Sequence, residues 1–125
     1  MNWKELTKNL LRIVVGFLFM PHGAQKLFGF LGADPAELVS MRGLAGVIEF
    51  FGGLLILIGL QTRWTAFLCS GLMAFAFWMA HAPRGFWPIA NGGELAMLYC
   101  FVFLFIWAHG GGQFSVDGWL ARRKS

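Results

Sequence analysis

The chain has 125 residues, 58 % hydrophobic and only 13 % charged, with 14 phenylalanines and a formal net charge of +4. A soluble domain carries about twice that charged share, so a water-soluble globule with its own polar surface is a poor fit. The basic residues sit at the ends of apolar stretches and not along one stripe, which argues against nucleic-acid binding and leaves membrane orientation as their explanation.

Residues 1–9 read as an amphipathic lead-in. The first apolar stretch, about 10–30, has a basic start like a signal peptide. The segment after Met20, Pro21-His22-Gly23-Ala24-Gln25, lacks a small-x-small cleavage site, so the stretch is expected to stay as a span. Pro21 removes a backbone donor and predicts a kink. Gly32-Ala33-Asp34-Pro35 forms a connection in which Asp34 is expected to cap a short helix with Pro35 at its first position. The second stretch runs about 41–60 and turns tightly through Gln61-Thr62-Arg63 into the third, about 64–82, which makes the two antiparallel neighbours. Ala66, Ser70 and Ala74 share one face of the third and permit close helix packing. A connection holding Pro83, Arg84, Pro88 and Asn91 leads to the fourth, about 93–108. Gly110-Gly111-Gly112 ends it, and Ser115-Val116-Asp117 opens a basic tail.

Each stretch is about long enough to cross a hydrocarbon core of ~30 Å at ~1.5 Å per residue. Four spans put both termini on one side, with Lys4, Lys8, Arg12, Arg63, Arg122, Arg123 and Lys124, against Lys26, Arg42 and Arg84 on the other. That asymmetry places the termini in the cytoplasm. Trp3, Trp64, Trp107 and Trp119 fall near the inner interface, and Trp78 and Trp87 near the outer one. The expected fold is all-α: a single domain over 1–125, a four-helix transmembrane bundle with both termini cytoplasmic. Arg12 and Arg63 are expected to snorkel to the inner headgroups, with His109 at the same boundary.

The ionisable groups inside the spans gather in the outer half. By helical rise His22 lies about 18 Å above the inner edge and Glu49 about 12 Å below the outer one, so in a core of ~30 Å the two can meet. Lys26 is one turn above His22 on the same face. Gln25, His81, Arg84, Asn91 and Glu94 lie nearby. An unpaired carboxylate at the depth of Glu49 is costly. Two readings stay open: a structural network pairing Glu49 with Lys26 or Arg84, and a solvent-reachable pocket for a small polar or redox-active ligand. Glu94 also suits the first turn of its helix and Asn91 the capping position before it.

Other chemistry fits less well. Cys69 and Cys100 differ by roughly 10 Å in depth, beyond the ~7 Å limit of a disulfide, and are expected to act as small apolar residues. His81 sits about 9 Å above His22, which weakens a bis-histidine haem. No ligand spacing demands a metal at His22, Glu49 and His81, so none is expected. No phosphate loop, nucleophile motif or dinucleotide fingerprint occurs.

Over almost its whole length the chain resembles the DoxX family of small bacterial membrane proteins. The resemblance rests on His22-Gly23 with Lys26-Leu27-Phe28; on Gly46, Glu49, Gly52-Gly53-Leu54-Leu55, Gly59-Leu60 and Thr62-Arg63; on Asn91-Gly92-Gly93-Glu94; and on Gly112, Ser115 and Asp117. It implies a multi-pass protein of the bacterial inner membrane. The family takes its name from subunits of a thiosulfate:quinone oxidoreductase, and some relatives are linked to oxidoreductase complexes that handle oxidative or sulfur stress. The expected function is therefore a membrane subunit of a quinone-linked oxidoreductase system. Glu49 and His22 would relay protons or bind a quinone head group, Lys26 and Arg84 would favour an anionic substrate such as thiosulfate, and His81, Asn91 and Glu94 would complete the pocket. Expected partners are membrane lipids, oxidoreductase subunits and further copies of the chain. Two alternatives are a small-solute transporter or binding protein, and a structural anchor for soluble enzymes.

Overall fold

The computed structural model describes residues 2–124, which form helices and no strand. Helix α1 (Trp3–Phe28) starts where the Asn2 side chain accepts the Glu5 N–H at 2.8 Å and ends at Gly29, whose left-handed φ of 69° closes the cap. It continues through Pro21, the position where the sequence predicts a kink. Helix α2 (Met41–Ile58) is capped by Ser40, whose hydroxyl accepts the Gly43 N–H at 2.9 Å, and ends at Gly59 with φ 75°. Helix α3 (Thr62–Ala76) runs on through a π turn, Phe77–His81, and a 3-10 turn, Ala82–Arg84. The short α4 (Pro88–Asn91) precedes α5 (Glu94–His109), and α6 (Val116–Lys124) carries the basic tail. Two stretches, Met41–Ile58 and Thr62–Arg84, are long and apolar enough to cross a membrane, and α5 is apolar but shorter.

The expected Asp34–Pro35 helix does not form. The chain is non-helical there: the Asp34 carbonyl accepts from Arg42 at 3.0 Å, and the Ala36 N–H reaches back to the Lys26 carbonyl at 2.6 Å. With those backbone groups satisfied, the cap that starts the next helix falls to Ser40.

Helices α1 and α2 pack antiparallel along their length, and α3 and α5 do the same. The two pairs meet where α2 lies beside α3 and where Phe19 of α1 sits edge-on to Tyr99 and Phe103 of α5, with ring centroids 5.1 and 4.8 Å away. The α1–α2 seam is made of glycine. A Cβ on Gly16 would lie 2.6 Å from the Leu57 nitrogen, and one on Gly53 would lie 2.8 Å from the Met20 Cα. Gly23 and Gly46 stand one seven-residue step along each helix, so backbone meets backbone down the seam.

Gly23→Ala is expected to lower stability by about 2 kcal/mol. Its methyl meets the Phe50 and Gly46 backbones, which no rotamer change can relieve, and that overpacking exceeds the ~1 kcal/mol gained in helix propensity. Gly71→Ala, with open space around it, is expected to be neutral or stabilising. Unfolding midpoints in detergent micelles compare the two, and equal midpoints would remove the close seam as a source of stability.

Arg12 does not snorkel. It is 1 % exposed and donates to four carbonyls: Nε to Gly111 at 2.7 Å, Nη1 to Ile56 at 3.0 Å and Leu57 at 2.6 Å, and Nη2 to Phe114 at 2.6 Å. Ile56 and Leu57 are among the last carbonyls of α2, where helical pairing runs out and Ile56 takes the Gly59 N–H of the cap at 3.2 Å; the planar fork of a guanidinium reaches both together with the loop. Around it Asp117 accepts the Gln61 and Thr62 N–H groups at 2.9 and 2.8 Å, capping α3. Asn9 accepts from Phe114 at 3.0 Å. Glu5 accepts the Gln113 N–H at 2.5 Å, a bond that holds the Glu5 carboxyl below its ordinary pKa. Arg63 and His109 remain exposed.

Candidate functional site

At the other end of the helices a cavity of about 260 Å³ opens between α1, α2, α5 and the end of α3. Its apolar walls include Phe19, Met73, Ala76, Leu95 and Ala96. Its polar lining is His22, Lys26, Glu49, His81 and Tyr99. Four of these the sequence places in one cluster; the fifth, Tyr99, it misses.

The pair at the centre follows from the glycine seam. A Cβ on Gly46 would press on the Lys26 Cβ at 2.8 Å, so the bare Gly46 lets the lysine stem lie across α2. One turn on, Glu49 meets the ammonium at 2.5 Å. The carboxylate side chain is 4 % exposed and the lysine 26 %, so the anion is the buried partner and the cation keeps contact with solvent. The partner of Glu49 is thus Lys26 and not Arg84. His22, one turn below Lys26 on α1, turns its ring edge-on to Tyr99 at 6.2 Å.

His81 reaches the cavity because of the π turn. At about 100° per residue, a regular helix would bring residue 80 back over Met73. The wider turn takes up one extra residue and puts His81 there instead. The His81 Nδ1 lies 3.2 Å from the Asn91 carbonyl. A carbonyl only accepts, so Nδ1 carries the hydrogen and Nε2 is the basic nitrogen of the neutral ring. Gly93 supplies the room: a Cβ there would strike the Phe77 ring at 2.7 Å and the His81 Cβ at 2.8 Å.

The remaining expected site residues fall outside the cavity lining. Asn91 is 1 % exposed and both ends of its amide are used locally, donating to the Gly85 carbonyl at 2.9 Å and accepting the Gly93 N–H at 2.8 Å. It does not cap α5. Gly92, at φ 78°, turns the chain so that the amide reaches only Gly93, which holds the capping position without a side-chain bond. Asn91 instead positions His81 through its carbonyl. Arg84 is exposed, its guanidinium beside Gly92 at the cavity edge. Glu94 is exposed on the outer surface of α5 beside Pro88, Leu98 and Phe101, turned away from the cavity. Gln25 is half-buried and does not line it.

Tyr99 is the one tyrosine of the chain. It stacks on Phe103 at 5.9 Å and contacts Phe19 and His22, while no protein group among the described residues takes its hydroxyl. Its solitary hydroxyl in an otherwise apolar run, one turn after Leu95, is the signal that could have found it. Cys69 and Cys100 are both free thiols, but they do not differ by 10 Å in height as counting from the segment ends suggests: the hydroxyl of Ser70, next to Cys69, donates to the Cys100 carbonyl at 2.8 Å and lies 3.4 Å from its Sγ, because α5 packs on α3 in a different register.

A half-buried ion pair, two imidazoles and a phenol thus surround one small volume with aromatic and aliphatic walls. Such a set can hold a polar ring and can give or take protons without a charge meeting lipid.

Known proteins bear on this arrangement. A family model described as DoxX matches residues 8–82. An uncharacterised protein of Haemophilus influenzae is 44 % identical over 114 residues, covering 86 % of this chain and 85 % of its own. An uncharacterised membrane protein of Mycobacterium tuberculosis is 31 % identical over 135 residues, covering 92 % of this chain and 82 % of its own. No solved structure matches significantly. The matched region holds the glycine seam, the Lys26–Glu49 pair and the π turn with His81, and by it the chain belongs to the DoxX family of membrane proteins.

Proposed function

We propose that the protein is a four-span subunit of an oxidoreductase system in the bacterial inner membrane, with both termini cytoplasmic, and that its cavity receives the head group of a quinone. The observation that carries this reading is the Lys26–Glu49 pair, buried in the span region yet opening on a cavity shared by His22, His81 and Tyr99. Intramembrane ionisable groups are costly and mark functional paths.

A cavity of about 260 Å³ suits a single substituted ring, and Phe19 and Tyr99 lend aromatic character to its wall. A quinone bound there supplies two-electron, two-proton chemistry, with electrons arriving from a partner subunit that oxidises a reduced sulfur or oxidative-stress species. The Tyr99 hydroxyl and the His22 ring would hold its oxygens by hydrogen bonds. His81, its tautomer set by Asn91, exchanges a proton at Nε2. Glu49, paired with Lys26 on the cavity wall, would relay protons together with His22, and Arg84 would favour the approach of anions at the edge.

Glu49→Gln is expected to abolish ligand-dependent electron transfer while helical content is kept, because the amide still accepts from Lys26. Native mass spectrometry of the gently extracted protein is expected to show a retained quinone mass. Normal turnover in Glu49→Gln, or a protein that carries no quinone, would count against this role. The Arg12 network joins α1, α2 and the 110–115 loop at the other end, which favours a site with one mouth over a conduit. Uptake of a solute into proteoliposomes without an electron acceptor would reverse that preference.

A further inference from the structure

The two helix pairs leave a gap of their own. Helix α1 packs on α2 and α5 packs on α3, and between α1 and α5 the ring contacts lie at the level of Phe19, Tyr99 and Phe103. Toward the chain termini the two helices part, and a cleft of about 650 Å³ lies between the first turns of α1 and the last turn of α5.

Lys4, Lys8 and Leu11 line one wall at a spacing of four and then three, which is a single helix face. Phe105 and His109 form the other wall, with their rings stacked at 3.9 Å. His109 Nδ1 donates to the Phe105 carbonyl at 2.9 Å, which fixes the ring and leaves Nε2 as the available nitrogen. The one carboxylate in the cleft, Glu5, is already engaged by the Gln113 N–H and by Lys8 at 3.2 Å. Lys4 makes no ion pair among the described residues.

Along the helix axis the cleft is therefore cationic near the terminus and apolar farther in. A phospholipid of the same leaflet has the same order, with its phosphate outside and its acyl chains inside. We propose that this cleft binds an anionic phospholipid, the phosphate held between Lys4 and Lys8 with His109 beside it and the upper acyl chain lying on Leu11 and Phe105. The charge order and the gap between helices select this occupant, since basic pockets between spans on the cytoplasmic side attract anionic headgroups. The site lies at the opposite end from the cavity and does not depend on the redox reading.

The test uses the full chain in nanodiscs of equimolar phosphatidylglycerol and phosphatidylcholine, released and weighed by native mass spectrometry. The unmodified protein is expected to retain phosphatidylglycerol over phosphatidylcholine by about tenfold, a preference two lysines can supply. Lys4→Gln with Lys8→Gln should bring the ratio near one. Leu11→Trp keeps every charge but fills the floor, and should also lower the ratio several-fold. Arg123→Gln with Lys124→Gln, outside the cleft, should leave it unchanged. Equal retention by the unmodified protein, a preference that survives both cleft variants, or the same loss in the tail variant would overturn the site. So would a protein dimer that excludes lipid from the cleft.

Discussion

Replacing Lys26 by Met is expected to cost about 3 kcal/mol, and replacing Glu49 by Gln in the same chain is expected to restore most of it. The asymmetry of the pair is the reason. Glu49 is 4 % exposed and Lys26 26 %, so removing the lysine strands a carboxylate that solvent barely reaches, whereas removing the carboxylate leaves an ammonium that still touches water. The residual exposure of Lys26 puts the single-variant cost toward the lower end of what breaking a buried pair produces. The double variant keeps a neutral polar side chain in the same volume. Unfolding midpoints in micelles read the stability, and turnover with the proposed partner subunit reads the proposed function. A double variant that regains both stability and turnover would make the pair a structural tie only. One that regains stability while turnover stays lost is the expected result and separates the two roles.

Arg12→Leu is expected to be the most damaging single substitution outside the cavity, at about 4 kcal/mol or more. Four carbonyls lose a charged donor together, two of them among the last carbonyls of α2. Bonds to charged groups contribute about 1.5–3 kcal/mol each, and the sum is reduced because water near the interface takes over part of the work. Asp117 supplies the nearby negative charge and would lose its cation. Arg12→Lys should recover little, since a compact ammonium has three donors on one atom and cannot span Gly111, Ile56 and Phe114 at once. The loop and α6 should loosen first, so protease cleavage between 110 and 124 should speed up in both variants. A lysine variant with an unchanged midpoint and unchanged cleavage would return Arg12 to the role of a simple interfacial charge.

These two sites differ in how far the sequence announced them. His22, Lys26 and Glu49 were visible because charge is rare in apolar stretches, and their depths follow from counting 1.5 Å steps along a helix. Arg12 was visible too, but its position near a span end made a lipid headgroup look like its partner. Two of its four partners, Gly111 and Phe114, are about a hundred residues away, and no local pattern points to them. Glu94 was grouped with the cavity by its depth alone, and the rotation of α5 turns it outward. Tyr99 was hidden by the reverse effect, being one more aromatic in an apolar run until Phe19 and His22 were seen to face it. His81 needed the π turn, which changes the helix face by one residue and leaves no mark on the hydrophobic pattern.

Composition and periodicity by themselves determined that this chain is helical and suited to a membrane, and which side chains are too costly to lie there without a purpose. Helical rise also brought His22 and Glu49 to one height, because one spacing governs every helix, but it misplaced Cys100 against α3, whose register with α5 only packing fixes. Azimuth was decided only by tertiary packing. The contact of Gly16, Gly23, Gly46 and Gly53 sets how α1 and α2 face each other, and so brings Lys26 to Glu49, while the loop after α5 closes on Arg12 from across the chain. A side chain's height is a property of its own helix; its partner depends on the rotation of another, which the packing of distant residues fixes.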